Sequence, residues 1–179
     1  MEGFFMKLKR NISVLAATSL LAVSIFGTAA PALASEVTDT IRAKNTSVEN
    51  AKKVVPASAI LTGVKLDADD YELSFKDPAT LSLYEVEVDK ATQKVKSVEI
   101  TSTQNPGSVT VNKTAEDAKA AVLAAYPNAT NVVVEKKEKD IGGATYVAYK
   151  ATFETPEYKA EALLNPATLA IGQEERDYK

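Results

Sequence analysis

Tyr84-Glu85-Val86-Glu87-Val88-Asp89-Lys90-Ala91-Thr92-Gln93-Lys94-Val95 decides how this chain of 179 residues is read. Tyr84, Val86 and Val88 alternate with Glu85 and Glu87. A period of two marks a strand with one apolar face and one solvated face, the habit of antiparallel sheets. Asp89 to Lys94 reads as a turn, and Val95, Val98 and Ile100 resume the sheet with a spacing that implies a bulge. Toward the N-terminus, Tyr71, Leu73 and Phe75 alternate with Glu72, Ser74 and Lys76, and Ile60 to Leu66 forms a further strand before the polar turn at Asp67 to Asp70. A helix precedes them. Thr46-x-x-Glu49 fits a capping box, Val48, Ala51, Val54 and Val55 follow at helical spacing, and Pro56 stops the run.

The same order recurs further along. Thr114 opens a second helix with Glu116 and Asp117 in its first turn, where the helix dipole favours acids. Ala118, Ala121, Val122 and Ala125 form its stripe, and Tyr126-Pro127-Asn128 ends it. Val132 to Val134, then Val147, Tyr149, Ala151 and Phe153, then Tyr158, Ala160, Ala162 and Leu164, read as strands, closed by Leu169 and Ile171. Lys136 to Asp140, mixed in sign, reads as a solvated hairpin end before Gly142-Gly143. Ala51-Lys52 superposes on Ala118-Lys119, and Val88 to Val95 on Leu164 to Ile171, which makes the chain an internal repeat with longer loops in the second copy. The expectation is an α+β fold of two tandem modules, each a helix packed on an antiparallel sheet of about four strands. Their bounds are 46–103 and 113–179, joined by a linker at 104–112 that contains Asn105-Pro106-Gly107.

The N-terminus belongs to targeting. Lys7, Lys9 and Arg10 precede an apolar run from Ile12 to Phe26, and Ala32-Leu33-Ala34 supplies small residues for a signal peptidase. This pattern predicts a signal peptide over 1–34, cleavage between Ala34 and Ser35, and a flexible lead-in over 35–45. Met6 is as good a start as Met1, since Met6-Lys7-Leu8-Lys9-Arg10 is a usual signal opening. The net charge of −3 becomes more acidic once the basic leader is removed, which argues against nucleic acid and against anionic lipid. No cysteine is present, so neither disulfides nor a lipid-modified cysteine can form. An exported protein without disulfides suits the outside of a Gram-positive cell, secreted or associated with the wall, with no membrane anchor left after cleavage.

Catalytic chemistry finds little to work with. The chain has no His and no Cys, so the commonest general base, thiolate nucleophiles and His-based zinc sites are all missing. Glu85 and Glu87 are the one obvious carboxylate pair, and strand alternation explains them as a solvated face. Asp67, Asp69, Asp70 and Glu72 form the densest acidic cluster, but an EF-hand count from Asp67 puts Tyr71 and Glu72 where an acid and glycine belong. No catalytic, cofactor or metal residue is assigned. Tyr146, of opposite parity to Val147 and Tyr149, is the candidate binding residue on the open sheet face, because tyrosine buries area at low entropic cost.

Three pieces resemble the PepSY family of peptidase-propeptide-like and YpeB-like domains. They are Thr114-Ala115-Glu116-Asp117-Ala118-Lys119, the exit Ala125-Tyr126-Pro127-Asn128 leading into Val132, and the ending from Tyr84 to Val95. The family's turn glycine is replaced by Gln93 in the first copy and Leu169 in the second, and the final-turn Asp by Asn165 in the second. The resemblance implies a non-catalytic secreted protein that binds an extracellular protein and inhibits or regulates a peptidase. The alternative is a cell-envelope structural or ligand-sensing protein that binds a wall component or another exported protein.

Overall fold

The computed structural model describes residues 31–179, with side chains from Ile41 onward. The expected signal peptide therefore lies outside the described residues except for its last few, and Ala34 and Ser35 both fall on helical backbone. Helix α1 spans Pro31–Ala51 and is followed by β1 (Ile60–Leu66), β2 (Asp70–Lys76), β3 (Leu83–Asp89) and β4 (Val95–Thr101). Helix α2 (Ala115–Ala125) then leads to β5 (Thr130–Ile141), β6 (Ala144–Glu154), β7 (Tyr158–Leu164) and β8 (Ile171–Tyr178). Among the described residues no helix is long and apolar enough to cross a membrane.

The expectation of two tandem modules is corrected. All eight strands join one antiparallel sheet in the order β1-β2-β3-β4-β8-β7-β6-β5. The seam is β4 against β8, with Ser97 to Thr101 paired to Asp177 to Gln173. The reason lies in edge strands: the last strand of each repeat would otherwise present a row of unpaired peptide groups, and pairing them with each other satisfies both. The sequence reading stopped at Ile171 because Gly172-Gln173-Glu174-Glu175-Arg176-Asp177 looks like a polar tail. It is in fact an interior strand.

Both helices pack on the same face. Ala51 at the end of α1 and Val55 just beyond it meet Tyr71, Leu73, Phe75, Tyr84, Val86, Val88 and Val98 in one cluster. Ala118 and Val122 meet Tyr149, Ala151, Phe153, Ala160, Ala162 and Leu164 in the other. A fully buried valine such as Val122 contributes roughly 1.5–3 kcal/mol.

The helix starts differ. Thr114 caps α2 with a full capping box: its side chain accepts from the Asp117 N–H, and Asp117 Oδ2 accepts from the Thr114 N–H. Thr46 does not cap α1, because the helix already runs through it and through the expected lead-in at 35–45. Its hydroxyl instead donates back to the Arg42 carbonyl at 3.0 Å, the usual alternative for a mid-helix threonine. Ser47, also inside the helix and buried, donates to Gln93 Oε1 at 2.6 Å, and Asn50 donates to the Gln93 carbonyl at 2.7 Å.

Gln93 belongs to a turn that occurs three times. Asp77-Pro78-Ala79-Thr80-Leu81-Ser82, Asp89-Lys90-Ala91-Thr92-Gln93-Lys94 and Asn165-Pro166-Ala167-Thr168-Leu169-Ala170 close the β2–β3, β3–β4 and β7–β8 hairpins. In each, the fifth N–H donates to the first carbonyl at 2.8 Å and the first N–H donates to the sixth carbonyl at 2.9–3.0 Å. The opening side chain accepts from backbone N–H groups inside the turn. Leu81, Gln93 and Leu169 consequently sit at positive φ of 59°, 60° and 64°. A non-glycine residue there costs roughly 1–2 kcal/mol, so each of the three turns carries strain at its fifth position.

Candidate functional site

With both helices on one side, neither described helix covers the opposite face of the sheet, on which Ala148 and Leu163 are nevertheless buried and the glutamates lie further along. Register places its side chains in rows that cross the strands. The central row runs Ser74, Glu85, Glu99, Glu175, Glu161 and Thr152, each opposite the next on β2, β3, β4, β8, β7 and β6. Four glutamates therefore stand side by side across the seam, at the strand spacing of about 4.8 Å. The neighbouring row runs Glu72, Glu87, Ser97, Asp177, Lys159 and Glu154. Like charges directly opposite one another destabilise a sheet by roughly 0.2–1 kcal/mol each.

Compensation is local. Lys150 reaches Glu161 at 2.7 Å, Lys65 reaches Glu72 at 2.9 Å, and Ser97 donates to Glu87 at 3.0 Å. Glu175, at the middle, has its pKa pushed up, first by burial and then by repulsion from Asp177, Glu161 and Glu87. Its folded form thus binds a proton more readily than an unfolded glutamate does. Among the described residues no three acidic groups converge in a way that would hold a metal ion.

Tyr146 shares the parity of Thr152 but lies far from this row. It pairs with Lys139 on the part of the β5–β6 hairpin that runs past the end of β7, whose pairing with β6 stops at Tyr149. Thr152 lies six residues further along β6, about 20 Å away. The Gly142-Gly143 turn at the tip has φ values of 60° and 82°, the left-handed pair that a two-residue hairpin needs. The longer loops expected in the second half are instead longer strands, twelve and eleven residues in β5 and β6 against seven in β1 and β2.

The acidic turn at Asp67 to Asp70 holds cations of its own. The Lys90 ammonium donates to the carbonyls of Asp67 and Ala68, and Lys96 pairs with Asp70 at 2.7 Å. Two ammonium groups of the chain itself thus supply positive charge to this acidic turn.

The helix-covered side of the seam carries a second polar group that the sequence reading missed. Glu174 is buried and accepts from Arg176 Nε at 2.6 Å and from the Tyr126 hydroxyl at 2.6 Å. The Arg176 guanidinium stacks over the Tyr158 ring at 5.1 Å. Burial pushes the Tyr126 phenol well above its ordinary range, and the Glu174 carboxylate reinforces the shift. Burial alone would lower Arg176, but its hydrogen bonds to Glu174 outweigh that and keep it charged. The alternation of Glu174, Arg176 and Tyr178 was the available signal, hidden because both parities of β8 are polar. Through Tyr126, the C-cap of α2, this cluster fastens the helix to the seam.

Compared with family models, curated proteins and solved structures, the chain matches none. The PepSY resemblance accordingly rests on its motif residues alone.

Proposed function

We propose that the chain is an exported, non-catalytic binding protein whose acidic sheet face, opposite the helices, docks a cationic surface of an extracellular protein. The observation that supports it is the row Glu85, Glu99, Glu175 and Glu161 across the middle strands of the sheet face that neither described helix covers. A predominantly acidic row of this kind steers an opposite surface and adds specificity more than raw affinity. The PepSY resemblance supplies the partner class, a secreted peptidase that the protein restrains. No cofactor takes part, and the absence of His and Cys leaves the face without a general base or nucleophile of the usual kinds.

Inhibition of a thermolysin-type peptidase by the protein starting at Ser35 tests this reading. Inhibition should weaken as salt rises and should be lost in the Glu85→Lys, Glu99→Lys variant. No inhibition, or inhibition indifferent to both changes, sinks the peptidase-face reading. Intact-mass analysis of culture supernatant tests export separately, since a species beginning anywhere but Ser35 contradicts the cleavage site.

A further inference from the structure

We infer that the outer edge of β1 is a docking site for an extended, weakly charged strand of another protein. This rests on the reading that the protein works by binding, and it assigns that binding a second surface. β1 is the last strand of the sheet and pairs only with β2 among the described residues. Its sequence Ile60-Leu61-Thr62-Gly63-Val64-Lys65-Leu66 carries one charge, and that charge is held by Glu72. Leu66 and Ile60, at its two ends, are 63% and 60% exposed, the most exposed large apolar side chains among the described residues.

The other edge of the sheet is guarded. β5 carries Glu135, Lys136, Lys137, Glu138, Lys139 and Asp140 in succession, and a register shift between Thr130 and Val133 breaks its regularity. Charges and bulges are the means by which edge strands avoid recruiting another chain. β1 also has a bulge, between Leu61 and Gly63, but Thr62 spans it by donating to the Ser74 carbonyl at 3.1 Å. The β1–β2 pairing therefore stays closed while the outer edge remains unguarded.

The edge itself specifies the occupant. Outward N–H and C=O groups at strand spacing are matched together only by another extended backbone, the mode called strand addition. Ile60 and Leu66 call for apolar side chains at the two ends of the incoming segment. The exposed Asp67 and Asp69 just beyond Leu66 favour a basic residue at that end.

The probe is a short synthetic peptide of alternating valine and threonine with a terminal lysine, mixed with the whole exported chain. Hydrogen exchange should show protection of the amides of residues 60–66. Binding should fall by about tenfold or more when alternate peptide nitrogens are methylated, and likewise in the Ile60→Lys, Leu66→Lys variant. Both positions are exposed, so that variant should keep the parent's circular dichroism. The Glu85→Lys, Glu99→Lys variant should bind the peptide as well as the parent does. If it does not, the peptide lies on the face and the inference falls, as it does if protection appears on β5 or if the methylated peptide binds equally. Self-association without peptide that Ile60→Lys, Leu66→Lys abolishes would make a second copy the occupant and overturn the inference. Protection of β1 together with no peptidase inhibition would support the edge and remove the peptidase.

Discussion

The two halves of the sheet bury their helices by different means. Under α1 the sheet offers large side chains, Leu73, Phe75, Val86, Val88 and Val98, and the helix touches them through a short segment near its C-terminal end. Under α2 the sheet offers Ala151, Ala160 and Ala162 beside Phe153 and Leu164, small residues that let Ala118 and Val122 approach closely. The polar attachments differ too. Ser47 and Asn50 of α1 bind Gln93 in the β3–β4 turn, whereas the segment entering α2 donates from the N–H groups of Asn112 and Lys113 to the Pro166 carbonyl in the equivalent β7–β8 turn. One turn geometry thus serves as the dock for both helices, although the contacting atoms are unrelated. The comparison teaches that the repeated unit is the hairpin turn and its strands, while each helix has found its own way onto them.

The largest expected effects test whether the halves are one cooperative body. Phe75→Ala and Phe153→Ala each empty a buried site and should cost about 3–5 kcal/mol. Because β4 and β8 fuse the sheet, both should lower a single common transition in urea melts. Two transitions, each moved by one variant only, would break the unity of the sheet.

Next in size is the passage between the halves. A Cβ on Gly172 would lie 2.6 Å from the Pro106 backbone nitrogen and 2.7 Å from the Gln104 carbonyl oxygen. Gly172→Ala should therefore cost about 1–3 kcal/mol, measured by urea melts, with hydrogen exchange rising along 102–113. An unchanged midpoint would show that the connector is not held at Gly172.

About 1 kcal/mol separates the three turns. Leu81 is strained and 54% exposed, so Leu81→Gly should stabilise the protein by about 1 kcal/mol. Leu169→Gly should not, because Leu169 packs against the second core. Asn165 distinguishes the third turn: its amide donates to the Asn105 carbonyl at 2.8 Å, which an aspartate cannot do. Asn165→Asp should cost about 1 kcal/mol by loss of that bond. A neutral result in melts would mean the connector finds another partner.

The smallest effect is a pH asymmetry. Turn N–H groups hold Asp77 and Asp89 below the ordinary carboxylate value of 3.8, led by the N–H of Ala79 and of Thr92 respectively. Lowered values in the folded state give stability that is present above 3.8 and lost as the pH falls through the folded values. Glu175 has the opposite sign, since its raised value gives stability that is lost as pH rises through it. Glu175→Gln should thus stabilise by about 0.5 kcal/mol at neutral pH and by nothing in acid. Hydrogen exchange in acid should loosen the two aspartate turns before the Asn165 turn, and equal loosening of all three would remove the asymmetry.

Much of the local structure was legible because it follows from period. Tyr84, Val86 and Val88 could face the core only as a strand, and Thr114 with Asp117 could open a helix without reference to anything distant. Gln93 and Leu169 were identified as positions where glycine would be preferred, and both take the left-handed conformation. The equivalent Leu81 went unseen because Asp77 to Ser82 lies within one copy and has no mate at the repeat offset. Thr46 misled for a related reason: a capping residue is also an acceptable helix interior when its hydroxyl can bond back one turn.

What the sequence by itself determined is therefore most of the strands, their faces, the second helix and the turns at Gln93 and Leu169, all of which depend on residues a few positions apart. Only the tertiary structure decided that β4 meets β8, that the two repeats share one sheet, and that Glu85, Glu99, Glu175 and Glu161 form a single row. Those outcomes depend on which unpaired edge finds which. Edge pairing is made by peptide groups that every residue carries, so it leaves almost no trace in side-chain order. β8 shows this most clearly, since its polar run becomes an interior strand only because two edges in need of partners lie on either side of it.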